Sequence, residues 1–336
     1  MINLNHGGGR QLHSKTFKLG LVLLAAAAAS PAQAQTSVTM YGNLDVSIGK
    51  ENGGAVVMGR GYNNWLGFKG QEDLGDGLAA IFNLQTRFIP GTGAQERPTT
   101  FFQGESTVGL KSSSAGSLRI GRAVTPLWNN LWLFEPWYNS GFNGSLASYQ
   151  TGSYSSDGIS DVALGYANFA RISNGVFYDS PDFSGFRFAL AVEVERNPLA
   201  KTRNVGISLN YGKGPVGAMA SYERNGNNDN IYFLGGSYDF SGLVLMGSYA
   251  HSKLVGVNAA AAGRSSERMM VLAATYAVGT DTVKAGYGRN QDSGSHKASL
   301  GYSHPLSKRT ALYADLYREK IKSDITGYAI GMSHTF

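Results

Sequence analysis

Side chains capable of catalysis or metal binding are few in this chain and form no recognisable group. No cysteine is present, and no G-x-S-x-G segment predicts a nucleophilic serine. A GYG triplet at 286–288 lies in an alternating segment that no helix follows, so it indicates close packing rather than a phosphate-binding loop. The histidines after the amino-terminal segment lack metal-ligand spacing: His251, His296, His304 and His334. We therefore predict no catalytic residue, no metal site and no cofactor.

Charged side chains instead occur inside segments whose residues alternate with a period of two. In the segment 282–287, Lys284 shares a face with small or polar residues, and larger apolar residues lie on the other face. The same rule places Arg87, Arg119 and Arg171 on the polar face. A basic side chain on a lipid-facing surface costs about 2–4 kcal/mol near the bilayer centre. These charges therefore predict a water-filled interior.

The carboxy-terminal segment shows the alternation most clearly. Bulky side chains face one way and small or polar ones the other: Tyr328, Ile330, Met332, His334 and Phe336 against Ala329, Gly331, Ser333 and Thr335. A strand of this kind suits apolar surroundings on one side and water on the other. The final aromatic ring, Phe336, is expected where a membrane strand meets its interface.

Period-two alternation recurs in sixteen segments of the chain. The clearest of them cover residues 38–49, 77–88, 186–194, 205–211, 243–250, 269–277, 282–288 and 310–318. Seven short connections alternate with eight longer polar ones, which is typical of a barrel with short turns at one rim and long loops at the other. The pattern therefore predicts an all-β fold, a 16-stranded antiparallel transmembrane β-barrel wide enough for an aqueous channel.

The first 34 residues have the features of a secretory signal peptide. Three basic residues precede an apolar run at 19–29, and small residues then predict cleavage after Ala34. The run is shorter than the roughly 20 residues that a permanent transmembrane helix needs. The alternative is a disordered start followed by an Ala-rich helix of a soluble domain. We expect an exported barrel domain at 35–336.

Net charge and the cysteine count limit the possible partners. Without the three basic residues of the leader, the formal net charge falls from +6 to about +3. This excess is too small and too scattered to predict nucleic-acid binding. Because the exported chain has no disulfides, its stability must come from a large continuous architecture.

Five longer segments carry a family pattern. They are VTMYGNLD at 38–45, NNWLGFKGQEDLGDGLAAIFNLQ at 63–85, STVGLKSSSAGSLRIGRAVTP at 106–126, SNGVFYDSPDFSGFRF at 173–188 and GYAIGMSHTF at 327–336. Together they resemble the trimeric general porins of Gram-negative outer membranes, of the β-proteobacterial type. The resemblance implies a homotrimer, a third loop folded into the lumen as a constriction, and recognition of Phe336 by the barrel-assembly machinery.

The connection at about 124–161 is the candidate constriction loop, since a connection of this length is rare unless it is functional. In porins of this kind, loop carboxylates face basic residues on the barrel wall. We expect the acids Glu135, Asp157 and Asp161 and the bases Lys69, Arg87, Arg119, Arg122 and Arg171 to fill these roles, and the resemblance itself matches Arg122 to a wall arginine. Strict alternation would place Arg122 outward, so its inward position rests on the resemblance and on its place near the start of the loop.

Aromatic residues replace basic ones at two positions of the family pattern. Trp65 and Phe177 stand where such porins often carry arginine, and the loop contains Trp128, Trp132 and Trp137. We hypothesise that these rings narrow the channel and favour solutes with flat apolar faces, such as sugars or aromatic acids. Alternatively, the rings pin the loop to the wall or belong to an interfacial aromatic belt.

Pattern and resemblance together predict a passive channel in the Gram-negative outer membrane for small hydrophilic solutes and ions, without enzymatic activity. Inward basic residues slightly outnumber inward acids such as Asp45, Glu193 and Asp315, which predicts a weak anion preference. The alternatives are a substrate-biased channel, a barrel enzyme such as a lipase or protease, and an adhesin.

The expected surroundings are outer-membrane lipid and lipopolysaccharide. The loop carboxylates Asp229, Glu267 and Asp292 have the oxygen ligands that lipopolysaccharide-bridging divalent cations prefer. Solvated loop charge is the simpler interpretation of these three residues.

Overall fold

The computed structural model describes residues 36–138, 143–152 and 170–336, which are almost entirely antiparallel strand. The strands are β1 (Thr36–Glu51), β2 (Val56–Gly59), β3 (Trp65–Gly75), β4 (Leu78–Arg87), β5 (Glu105–Ser112), β6 (Gly116–Val124), β7 (Arg171–Asp179), β8 (Phe186–Glu193), β9 (Val205–Lys213), β10 (Val216–Arg224), β11 (Asn230–Asp239), β12 (Leu243–Lys253), β13 (Ser266–Val278), β14 (Asp281–Asn290), β15 (His296–Pro305), β16 (Thr310–Lys320) and β17 (Asp324–Thr335).

Helical segments within the described ranges are short and lie in connections between strands. A single 3₁₀ turn covers Leu131–Phe134, α1 covers Ser148–Thr151, and α2 covers Gly256–Ala262. Neither these helices nor any other in the described part of the chain is long and apolar enough to span a membrane.

Sixteen of the strands close into a barrel in which consecutive strands pair. Closure is made by β1 and β17, whose register runs from Asn43 opposite Thr335 to Glu51 opposite Gly327. The main chain of Phe336 adds two hydrogen bonds with Gly42, of 3.0 and 3.1 Å. The remaining strand, β2, belongs to the first long loop and pairs only with the end of β1. The predicted 16-stranded antiparallel barrel is confirmed.

The two faces of the wall differ in polarity, as the alternation predicts. In β17, Ile330 is 66 % exposed on the outside, whereas its neighbour Ala329 is 2 % exposed on the inside. In β1, Asn43 and Asp45 are buried within the barrel, and Leu44 between them is exposed on the outside. Apolar residues therefore face the surroundings and polar residues face the lumen.

The described parts of the third long connection, residues 125–138 and 143–152, pack against the inside of the barrel. Leu127 and Phe134 from this loop share a buried cluster with Ile231 and Phe233 of β11 and with Met269 of β13. Further along, Trp137, Leu146 and Tyr149 pack against Val271 of β13. Because these wall residues are on the inward face, the loop occupies part of the lumen.

Two wall glycines make room for this loop. A Cβ atom on Gly286 would lie 2.6 Å from Leu146 Cδ1, and one on Gly288 would lie 2.5 Å from Tyr149 Cβ. Both distances are too short for any side chain. The GYG triplet therefore marks close packing, and the partner of that packing is the third loop.

Candidate functional site

A cavity of about 650 Å³ lies between the third loop and the wall, towards the rim with the short turns. The loop and the first long connection line one side of it, and strands β12 to β17 line much of the remainder. Ionisable and aromatic side chains on its surface include Asp45, Tyr62, Trp132, Tyr138, Lys284 and Asp315.

The wall carboxylates of this cavity are buried and already hydrogen-bonded. Asp45 Oδ1 accepts hydrogen bonds from the main-chain amide of Gly61 at 2.6 Å and from the hydroxyl of Tyr313 at 2.7 Å. Asp315 Oδ1 accepts one from the indole of Trp137 at 2.8 Å. Since donors already point at these oxygens, the negative charges attract passing cations less than exposed carboxylates would.

The loop carboxylate Glu135 is also buried, and it organises the loop itself. Its Oε2 accepts hydrogen bonds from the main-chain amides of Trp137 at 3.0 Å and Leu146 at 3.4 Å. It therefore joins the two described parts of the loop. The other two predicted acids, Asp157 and Asp161, lie outside the described residues.

Three cations line the same cavity, and within the described ranges protein groups do not hydrogen-bond to them as they do to the carboxylates. The Nζ atom of Lys284 lies 5.4 Å from the ring centroid of Tyr138. Lys308 and Arg309 are exposed in the turn between β15 and β16 and line the same cavity. In the ranges that the structure describes, the side chains of these three residues make no hydrogen bond or ion pair with protein. Asp315, Glu135 and Asp45 partly balance the charge of Lys284, whereas Lys308 and Arg309 are exposed, and the N–H donors of all three side chains remain open to a solute.

Arg119, a predicted constriction base, is neutralised on the wall. Its guanidinium pairs with Glu105 of β5 and with Asp179 of β7, the latter at 2.9 Å, and lies 5.7 Å from the ring of Phe177. Sequence reasoning did not identify the two acids. Strand pairing accounts for Asp179. Phe177 lies directly opposite Arg119, and Asp179 is two residues further along β7, on the same face of the wall.

Arg122 and Arg171 hold the end of the second long connection. Arg122 Nε donates to the carbonyl oxygen of Gln103 at 3.3 Å, and its Nη1 donates to Ser173 Oγ at 2.5 Å. Arg171 Nε donates to the carbonyl oxygen of Gly104 at 3.1 Å. A β-bulge between β6 and β7 lies beside Arg122. Each arginine thus donates a hydrogen bond to the main chain of the second long connection, in addition to any role towards solutes.

The remaining predicted bases, Lys69 and Arg87, face the lumen. Lys69 Nζ lies 5.0 Å from the ring centroid of Tyr41 on the neighbouring strand. Arg87 is directly opposite Trp65 in the pairing of β3 with β4. Among described residues, neither side chain has an ion pair.

Four rings form a continuous line from the wall to the third loop, here named the aromatic row: Trp65, Tyr62, Tyr138 and Trp132. Successive ring centroids are 5.3, 6.0 and 6.0 Å apart, and the interplanar angles lie between 59° and 81°. These are edge-to-face and tilted contacts, the arrangement that aromatic pairs prefer. Three of the four rings line the cavity.

The other predicted aromatic residues are buried. Trp128 belongs to the buried cluster beneath the loop, and Trp137 is buried with its indole on Asp315. Phe177 is buried against Ala123 and other wall residues. The aromatic residues therefore divide into a row in which Trp132 and Tyr138 are exposed and Tyr62 and Trp65 are half-buried, and a set of buried anchors. Tyr138, which belongs to the aromatic cluster expected in the third loop, and Tyr62, which sequence reasoning did not identify, complete the row.

A family model described as Gram-negative porin matches residues 20–324 of the chain. The chain belongs to the Gram-negative porin family. Outer membrane porin protein 32 of Delftia acidovorans is 30 % identical, over 89 % of this chain and 88 % of that one. An outer membrane porin protein of Bordetella pertussis is 28 % identical, over 93 % and 98 % of the two chains. This porin is therefore an outer-membrane channel protein and not an enzyme.

Solved structures share the porin fold. An anion-selective porin from Comamonas acidovorans has a TM-score of 0.74 and 24 % sequence identity, and the match covers 90 % of this chain and 100 % of that one. An outer membrane protein of Vibrio cholerae in a trimer form has a TM-score of 0.65 and 14 % identity, with coverage of 90 % and 99 %. These likenesses concern the fold.

The three loop carboxylates considered for divalent cations lie in separate hydrogen-bonded groups of the porin. Asp229 accepts hydrogen bonds from asparagine side chains and a main-chain amide. Glu267 pairs with Arg264 at 2.8 Å, and Asp292 pairs with Arg268 at 2.7 Å. Within the described part of the chain, no group of three or more His, Asp or Glu side chains is arranged to hold a metal ion.

Proposed function

We propose that this porin passes small hydrophilic solutes and ions by passive diffusion with a weak preference for anions. The observation that carries the proposal is the asymmetry of charge around the lumen cavity. Its carboxylates are buried and hydrogen-bonded, whereas Lys284, Lys308 and Arg309 have no protein acceptor in the described ranges. A permeating anion gains from these cations, and the buried, hydrogen-bonded carboxylates attract a permeating cation less strongly than exposed carboxylates would.

The preference is weak because the charges are nearly balanced and the lumen holds water. Asp45, Glu135 and Asp315 oppose the three cations around the same cavity. Water and salt screen each interaction to about 1 kcal/mol or less at 4 Å. The comparison with an anion-selective porin of the same fold points in the same direction.

Proteoliposome swelling tests passive permeation directly. Liposomes containing the purified porin should swell in isotonic arabinose, with a rate that falls for larger sugars and rises linearly with concentration. Protein-free liposomes provide the control. Swelling that is absent, or that saturates for every neutral sugar, contradicts simple diffusion.

We further propose that the porin is exported with cleavage after Ala34 and assembles as a homotrimer among outer-membrane lipid and lipopolysaccharide. The barrel-assembly machinery would recognise Phe336, whose ring lies over Gly42 and whose main chain pairs with that residue. Removal of Phe336 should lower the amount of folded porin in outer membranes, measured by gel mobility without heating. Unchanged amounts would contradict this role.

A further inference from the structure

The aromatic row and Lys284 together have the chemistry of a ligand site. We propose that they form a saturable binding site for arylcarboxylates, with the flat ring against Trp132 and Tyr138 and the carboxylate at Lys284. This inference rests on the proposed function, since the ligand must enter through an open channel.

The rings are accessible and held in place. Trp132 is 38 % exposed and Tyr138 is 51 % exposed, and both line the cavity. The Trp132 indole donates a 2.8 Å hydrogen bond to the carbonyl oxygen of Asn129, which fixes the orientation of the ring. A ligand therefore meets a preformed surface and loses little free energy to ordering of these side chains.

The backbone conformation of Tyr138 supports the proposal that its exposed ring belongs to a binding site. Its φ angle is +57°, in the left-handed region that residues other than glycine seldom adopt. This conformation lets its ring contact both Tyr62 and Trp132 while Lys284 lies over it. Backbone strain of this kind persists where surrounding contacts hold it, which is common at ligand sites.

The charge of the site distinguishes an aromatic acid from a sugar. Binding of a sugar needs acceptors as well as donors for its hydroxyl groups, but the nearby carboxylates Asp45 and Asp315 are buried and hydrogen-bonded. The Lys284 ammonium lies over the Tyr138 ring and is attracted by Asp315, Glu135 and Asp45, but it makes no direct hydrogen bond or ion pair with the described residues, so its N–H donors are open to a ligand carboxylate. A ligand that combines a planar ring with one negative charge matches both parts of the site.

Block of the chloride current through single channels measures binding. Benzoate, added at neutral pH to wild-type porin in a planar bilayer, should reduce the current with saturation. Cyclohexanecarboxylate has the same charge and a similar size without a planar ring. Its half-blocking concentration should be about three- to tenfold higher than that of benzoate.

Variants separate the ring contact from the charge. Trp132→Leu should raise the half-blocking concentration of benzoate to about that of cyclohexanecarboxylate, and Trp132→Phe should retain most of the difference. Lys284→Gln should weaken block by both acids. Matched controls are Tyr287→Leu, which removes a ring from the outer face of β14, and Lys322→Gln, which removes an exposed loop charge. Neither control should alter block.

The possible failures are distinguishable. Equal block by the two acids, or benzoate block that survives Trp132→Leu, overturns the binding site while leaving an anion-preferring channel intact. A wild-type channel that does not conduct, or that prefers potassium to chloride, overturns the proposed function and the binding site with it.

Discussion

The indole nitrogen of Trp137 lies 2.8 Å from Oδ1 of Asp315, which joins the third loop to strand β16. Both side chains are buried, so water does not readily replace this hydrogen bond. The same contact engages Oδ1 of Asp315, a carboxylate that lines the lumen cavity. One bond thus sets both the position of the loop and part of the charge balance of the lumen.

Replacement of Trp137 by phenylalanine should loosen the third loop. A smaller aromatic ring remains, and the buried Asp315 carboxylate loses a donor, which costs about 1–3 kcal/mol in the free energy of unfolding. Urea unfolding in detergent micelles and the noise of the open-channel current should both report the change. Trp132→Phe is the control, because the Trp132 indole bonds within its own loop. Equal effects of the two variants would contradict the anchoring role of Trp137.

Neutralisation of Arg119 should shift the channel towards cations. Arg119→Gln leaves Glu105 and Asp179 without their counter-charge on the lumen wall. The chloride-to-potassium permeability ratio should fall by about twofold or more. The double variant Arg119→Gln, Glu105→Gln should recover part of the loss. An unchanged ratio in the single variant would show that this network does not face the ion path.

A methyl group on Gly288 should displace the third loop. Gly288→Ala places a Cβ atom 2.5 Å from Tyr149 Cβ, and overpacking of this kind costs about 1–3 kcal/mol. Single-channel conductance should change and the unfolding transition should move to lower urea. Gly236→Ala is the matched control, since no atom lies within 4 Å of the position its Cβ would take. If both variants behave alike, the loop does not depend on the wall glycines.

The strands were predictable because their pattern is local. Alternation in Tyr328–Phe336 or around Lys284 shows which face of the strand meets apolar surroundings and which meets water. This pattern does not depend on which strands are the neighbours. The neutralisation of Arg119 depends on pairing across β5, β6 and β7, which the sequence of one strand does not contain. The exposed position of Tyr138 depends on the path of the loop, which packing decides.

High pH should reveal the contact of Tyr149 with the wall. Its hydroxyl donates a 2.9 Å hydrogen bond to Glu319, and burial together with this carboxylate raises the pKa of Tyr149. The native phenol then keeps its proton where the unfolded phenol, with a pKa of about 10, loses it. Its contribution to stability is complete below pH of about 10 and is lost as the pH rises further.

Urea unfolding of wild-type porin and Tyr149→Phe, compared from pH 8 to pH 11, tests this expectation. Above pH 10 the wild-type free energy of unfolding should fall more steeply than that of the variant, by up to about 1.4 kcal/mol per pH unit. Parallel curves would show that Tyr149 is not held by Glu319.

The reversal potential of wild-type porin in a planar bilayer under a KCl gradient tests the central claim most directly. We predict stepwise conductance and a reversal potential whose sign is set by chloride, and a reduction of about two- to fivefold in the chloride-to-potassium permeability ratio for Lys284→Gln. Lys284→Arg, which keeps the charge, should resemble the wild type. A reversal potential whose sign is set by potassium, or the absence of conductance steps, would contradict the account.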